Sequence, residues 1–198
     1  MKIPLTFTAR TVFFNFGPWI AYGLVAANGH PGWAYAGGLA VALFLAALQR
    51  QAAHLKVMDA ASLLFFSSGA VVTLVFHSSL FLRDGSFFLW SAFALIAWGS
   101  LVVSAPFTAD YARDSVPRTV WSSPIFRRVN MAITAAWGFV FVINALVAAL
   151  LAFSPGWPLG HLRIGLGAVS YLATLSGVVF TNRFPQWAST QWASKELV

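Results

Sequence analysis

The chain lacks cysteine altogether, and only five of its 198 residues are acidic. The missing cysteine excludes disulfides, thiolate metal sites and a cysteine nucleophile, and leaves the redox compartment open. Charged residues amount to 9%, against about 25% in an ordinary soluble domain. So few charges cannot solvate the surface of a water-soluble fold. Low-complexity tracts are absent, as are a G-x-S-x-G elbow, a phosphate-binding loop and an H-E-x-x-H metal motif. What the chain has instead is apolar mass, with 59% of residues hydrophobic and nineteen phenylalanines. Disorder requires the opposite balance. The expected class is an all-α polytopic membrane protein.

A membrane helix needs about 20 mainly apolar residues. Six such runs are bounded by charge, proline or glycine, approximately 12–28, 33–48, 57–76, 86–104, 131–153 and 164–181. They predict a single transmembrane domain, a bundle of about six helices. The first run carries Asn15, Gly17 and Pro18 near its start, and Lys2 and Arg10 precede it in the manner of a secretory leader. It has no small-x-small cleavage site, and a second apolar run follows almost at once, so a retained helix is expected. The connection 105–130 is long and polar, with Pro106, Pro117 and Pro124; Asp110, Tyr111, Arg113 and Asp114 within it read as a short interfacial helix of alternating charge. The tail 183–198 mixes Phe184, Trp187 and Trp192 with polar residues and is expected to lie along the membrane surface. Pro-Gly-Trp occurs twice, at Pro31–Trp33 and Pro155–Trp157, as boundary chemistry before a span.

Lysine and arginine remain on the cytoplasmic side of a membrane. With six spans, ten of the twelve basic residues fall on one side: Lys2, Arg10, Arg50, Lys56, Arg113, Arg118, Arg127, Arg128, Arg183 and Lys195. Only Arg83 and Arg163 fall on the other. Both termini are therefore expected in the cytoplasm. The net charge of +7 is explained by this sorting and does not call for nucleic acid as a partner. Trp33, Trp90 and Trp157 would form an outer belt, and Trp121, Trp187 and Trp192 an inner one; Trp98 and Trp137 fall within spans.

Helices associate in lipid through small residues and polar contacts. Stripes at spacings of three and four supply such faces. They are Ala34, Gly38 and Ala42; Asp59, Ser62, Phe66, Gly69, Thr73 and His77; Thr134, Gly138, Phe141, Ala145 and Ala148; and Ser170, Ala173, Thr174, Gly177 and Thr181. A possible polar transmembrane site comprises Asp59, Ser62, Thr73 and His77, with Asn144 nearby. Asp59 is the one ionisable group inside a span. Such a group marks a function by default, although in a first helical turn it also suits the helix dipole. Asn144 is the most deeply placed strongly polar residue, and a bond across helices is its expected role. His30, His54, His77 and His161 read as loop residues without ligand spacing. No paired carboxylates fall within spans, so a paired-carboxylate site in the bilayer is not expected; no catalytic residue, metal site or cofactor is assigned, and cofactor-binding residues stay open.

Several stretches also carry a resemblance. Phe16-Gly17-Pro18-Trp19-Ile20 opens an apolar helix with an early proline; Thr73-Leu74-Val75-Phe76-His77 is followed by Phe81-Leu82-Arg83; Val120-Trp121-Ser122 precedes Asn130 and Trp137; and Leu175-Ser176-Gly177 lies in the last span. In order and spacing the chain resembles the intracellular septation protein A family, small inner-membrane proteins of Gram-negative bacteria. The resemblance implies a bacterial inner (cytoplasmic) membrane location and a role in envelope maintenance or septation through contacts with other membrane proteins. It supplies no catalytic residue. Composition and stripes alone also admit a small-solute transporter or channel, or a membrane subunit that binds a pigment, lipid or haem. Besides the bilayer, other membrane proteins or a second copy of the chain are the partners these readings allow.

Overall fold

The computed structural model describes residues 9–48, 56–153 and 160–193, and these contain helices and turns but no strand. In chain order the helices are α1 (Ala9–Ala27), α2 (Pro31–Leu48), α3 (Val57–Ala70), α4 (Ser79–Arg83), α5 (Gly85–Val102), α6 (Phe107–Arg113), α7 (Pro124–Phe153) and α8 (Gly160–Ala193). A π segment, Val71–Val75, extends α3, and a single 3₁₀ turn, Arg118–Val120, precedes α7. Five stretches are long and apolar enough to cross a membrane: Pro31–Leu48, Val57–Val75, Gly85–Val102, Pro124–Phe153 and Gly160–Trp192. Phe16–Ala27 adds a shorter apolar helix. The chain is an all-α membrane protein. Lys2, Arg50, His54, Pro155–Trp157 and Lys195 lie outside the described residues.

Helix ends follow from local chemistry. Gly29 adopts φ 83°, a left-handed conformation that costs glycine little, and His30 N–H then reaches back to Val25 O at 3.3 Å. Pro31 opens α2 where its missing N–H is not needed. At the end of α5, Ser104 takes the left-handed role (φ 56°), and Ala105 N–H bonds Ser100 O at 2.8 Å just before Pro106. The connection 105–130 is thus largely folded, because α6 occupies its first part and α7 begins at Pro124. α8 likewise continues past the expected end of the last span, through Pro185, to Ala193. The tail begins as an extension of that helix, since proline removes one donor but neighbouring turns can hold a membrane helix together.

The described fold divides into two units, Phe7–Phe88 and Leu89–Val198, with the division inside α5. In the first, α1 packs on α2 and α2 on α3. Its interior is aromatic: Trp19 stacks on Phe65 at 5.1 Å, Tyr22 meets Tyr35 edge-on at 4.9 Å, and Phe81 stacks on Phe88 at 4.0 Å. Two glycines make room for these rings. A Cβ at Gly38 would lie 2.6 Å from the ring of Phe66, and one at Gly69 would overlap the ring of Tyr35. Apolar surface gains little by leaving lipid for protein, so close backbone approach and dense ring contact supply the cohesion.

In the second unit α7 packs against α8 and α6. Phe141 of α7 lies 5.1 Å from Phe93 and 6.1 Å from Trp90 on α5, and Gly138 admits the Trp98 ring. On the other flank of α7, Val129 and Ile133 form a buried cluster with Ala188 of α8.

Candidate functional site

The four stripe residues of the first unit are spread from the first turn of α3, through the π segment, to the turn beyond it. Ser62 is buried, and its hydroxyl donates to Met58 O at 2.7 Å, one turn back on the same helix. Thr73 is buried in the π segment; its hydroxyl reaches Gly69 O at 2.8 Å and, more weakly, Gly32 O of α2 at 3.5 Å. Asp59 stands half-buried in the first turn of α3, with its own N–H bonded to Lys56 O. His77 is exposed beyond the π segment at φ 50°. The wide turn is visible as Phe76 N–H to Val71 O at 3.3 Å and Ser78 N–H to Val72 O at 3.1 Å. π turns recur at functional positions, and a histidine with positive φ is uncommon.

Asn144 belongs to the second unit. It is buried, and its amide donates to Val140 O at 2.8 Å on its own helix. This bond runs along α7 itself, beside the role across helices that the sequence suggests. Serine, threonine and asparagine side chains commonly take such local acceptors.

The shorter bonds that link elements involve other residues. Thr108 of α6 donates to Asn130 O at 3.0 Å and shares a 2.8 Å hydroxyl contact with Thr134, both on α7. Asn130 is itself buried and donates to Phe126 O. Ser100 accepts from the N–H of Phe107 at 3.2 Å, tying the start of α6 to α5. Trp137 Nε1 donates to Thr181 Oγ1 at 2.9 Å, tying α7 to α8. Thr134 and Thr181 lie on the sequence stripes. Thr108 carried no local signal, because its partners are 22 and 26 residues away.

Two charged features complete the picture. In the turn between α4 and α5, Arg83 forks onto both oxygens of Asp84, with Nη2 at 2.9 Å from Oδ2; the carboxylate is buried and the guanidinium exposed. The carboxylate raises the Arg83 pKa above its already high ordinary value. Asp84 also precedes α5, and its carbonyl accepts from Phe87 N–H at 2.9 Å. In the connection before α7, Arg113 bonds Asp110 at 2.8 Å, and the guanidinium carbons of Arg113 and Arg118 lie 5.9 and 5.6 Å from the Trp121 ring centre. Asp110 and Arg113 stand at i, i+3 on the short charged helix that the sequence suggests, whereas no local spacing joins Arg113 to Trp121.

Among the described residues no three histidine, cysteine or acidic side chains come together to hold a metal. Comparison with known families, curated proteins and solved structures finds no match to this chain.

Proposed function

We propose that the chain is a non-enzymatic integral membrane protein of a bacterial inner membrane, with both termini cytoplasmic. It acts through contacts with other membrane proteins, like the envelope-maintenance and septation proteins it resembles. One observation carries this reading. The polar groups within the spans serve helix architecture: Ser62, Thr73 and Asn144 donate to carbonyls one turn back on their own helices, and Thr181 accepts from Trp137 of the neighbouring helix. Donors bonded along their own helix need no ligand, and the bond from Trp137 to Thr181 holds two helix faces together. α8 supports the reading, because only 6% of its apolar stretch is buried within the chain. The test is cross-linking in native membranes followed by purification in mild detergent. Specific, saturable capture of another membrane protein is expected. A chain that captures none and performs its role alone in vesicles refutes the proposal.

Solute transport is the second reading, favoured by the π segment and by His77 beyond it. If Asp59→Asn and Asn144→Ala abolish uptake of a solute by reconstituted vesicles while leaving folding intact, transport replaces the scaffold.

A further inference from the structure

The connection into α7 carries a concentration of positive charge that neither helix packing nor the internal ion pair uses. From Arg118 to Asn130 there are three arginines and no acid, and the next acidic residue after Asp114 is Glu196. Arg118, Arg127 and Arg128 are all exposed. Arg113 differs, because it is bonded to Asp110 at 2.8 Å.

The position of these charges follows from helix geometry. The charge-free, mainly apolar run of α7 starts at Met131, three residues after Arg128. At about 1.5 Å per residue, Arg127 and Arg128 stand about 5 Å outside the hydrocarbon edge, the depth of lipid phosphates. Trp121 lies six residues before Arg127, within about 20 Å even for extended chain, and tryptophan favours that same layer. Its indole is anchored by Nε1 to Val116 O at 3.3 Å, and its ring supports the Arg118 guanidinium. A stacked guanidinium keeps its in-plane N–H groups available, and their fork matches phosphate oxygens. Positive charge in the first turn of α7 is also opposed by the helix dipole. An anion between these groups would relieve that repulsion.

We propose that Arg118, Arg127 and Arg128, braced by Trp121, form a docking surface for anionic phospholipid head groups, selecting phosphatidylglycerol-type lipids over zwitterionic ones. The surface fixes the depth of α7 and the attitude of the connection against the bilayer. It needs only that α7 spans a membrane, so it stands whether or not the protein has a protein partner.

The experiment is native mass spectrometry of the full chain in mild detergent with equal amounts of phosphatidylglycerol and phosphatidylcholine of matched acyl chains. The wild type is expected to retain phosphatidylglycerol preferentially, and the preference should shrink as salt rises. Removal of each guanidinium, in Arg118→Gln, Arg127→Gln and Arg128→Gln, should reduce it about five-fold. Arg163→Gln, at the start of α8, should leave it unchanged. All three sites are exposed, and circular dichroism checks that each variant folds. The proposal is overturned if the wild type shows no preference, or if the combined variant keeps it.

Discussion

Trp137 and Thr181 meet in a two-step relay: the indole N–H donates to the threonine hydroxyl at 2.9 Å, and that hydroxyl donates to Gly177 O at 2.8 Å. The seam between α7 and α8 thus has a directional polar contact beside Gly177, where Val140 and the Trp137 ring approach. Linked hydrogen bonds reinforce one another where water is excluded.

Breaking this relay should cost little but measurably. Interhelical hydrogen bonds in membranes average about 0.6 kcal/mol and reach about 1.7 kcal/mol. Trp137→Phe and Thr181→Val are each expected to lower stability within that range in detergent-titrated unfolding. A double-mutant cycle should show coupling between them, and strictly additive effects would remove the bond from the account.

The close approach at Gly69 gives a sharper effect. Gly69→Ala forces the Tyr35 ring aside and should destabilise the first unit by about 1–3 kcal/mol, as overpacking does. Gly38→Ala should behave similarly against Phe66. Gly165→Ala is the control, since nothing lies within 4 Å of the added methyl. Equal unfolding midpoints for Gly69→Ala and Gly165→Ala would contradict the packing described.

α6 is held to α7 by Thr108. Thr108→Val keeps the shape of the side chain and removes both the donation to Asn130 O and the Thr134 contact. Hydrogen exchange should accelerate in Phe107–Arg113 and remain unchanged in α1 and α2. Uniform exchange across the chain would mean that α6 is secured by other groups.

The proposed orientation has a direct test, because the protein has no cysteine to remove. Ser79→Cys and Ser115→Cys place single thiols at exposed positions, which the proposed orientation assigns to opposite faces of the membrane. An impermeant maleimide applied to intact cells should label Ser79→Cys, and Ser115→Cys only after lysis. Labelling of both from one side refutes the arrangement of spans.

The sequence made the class legible because lipid imposes a length and composition rule on each helix independently of the others. The runs 57–76 and 86–104 correspond closely to Val57–Val75 and Gly85–Val102. The stripes were legible for the same local reason: Ala34, Gly38 and Ala42 are all buried, as are Ser62, Phe66, Gly69 and Thr73. Asp59 and His77 share that stripe by spacing but sit at the ends of the segment, where a helix face meets the interface.

By itself, then, the sequence determined that the chain is helical, apolar enough for a bilayer, and striped where helices touch. The fold decided which polar atoms meet. The Asn144 amide donates to its own helix, while Thr108 finds Asn130 and Thr134 across a connection that read as long and polar with a short interfacial helix. Proline marks were insufficient to place the end of α8, which continues through Pro185. Hydrophobic periodicity is a property of neighbours three and four residues apart, and the order of residues alone expresses it. A hydrogen bond or a stacked ring between residues 13 or 44 positions apart depends on distances of a few tenths of an ångström, which are set only when whole helices pack.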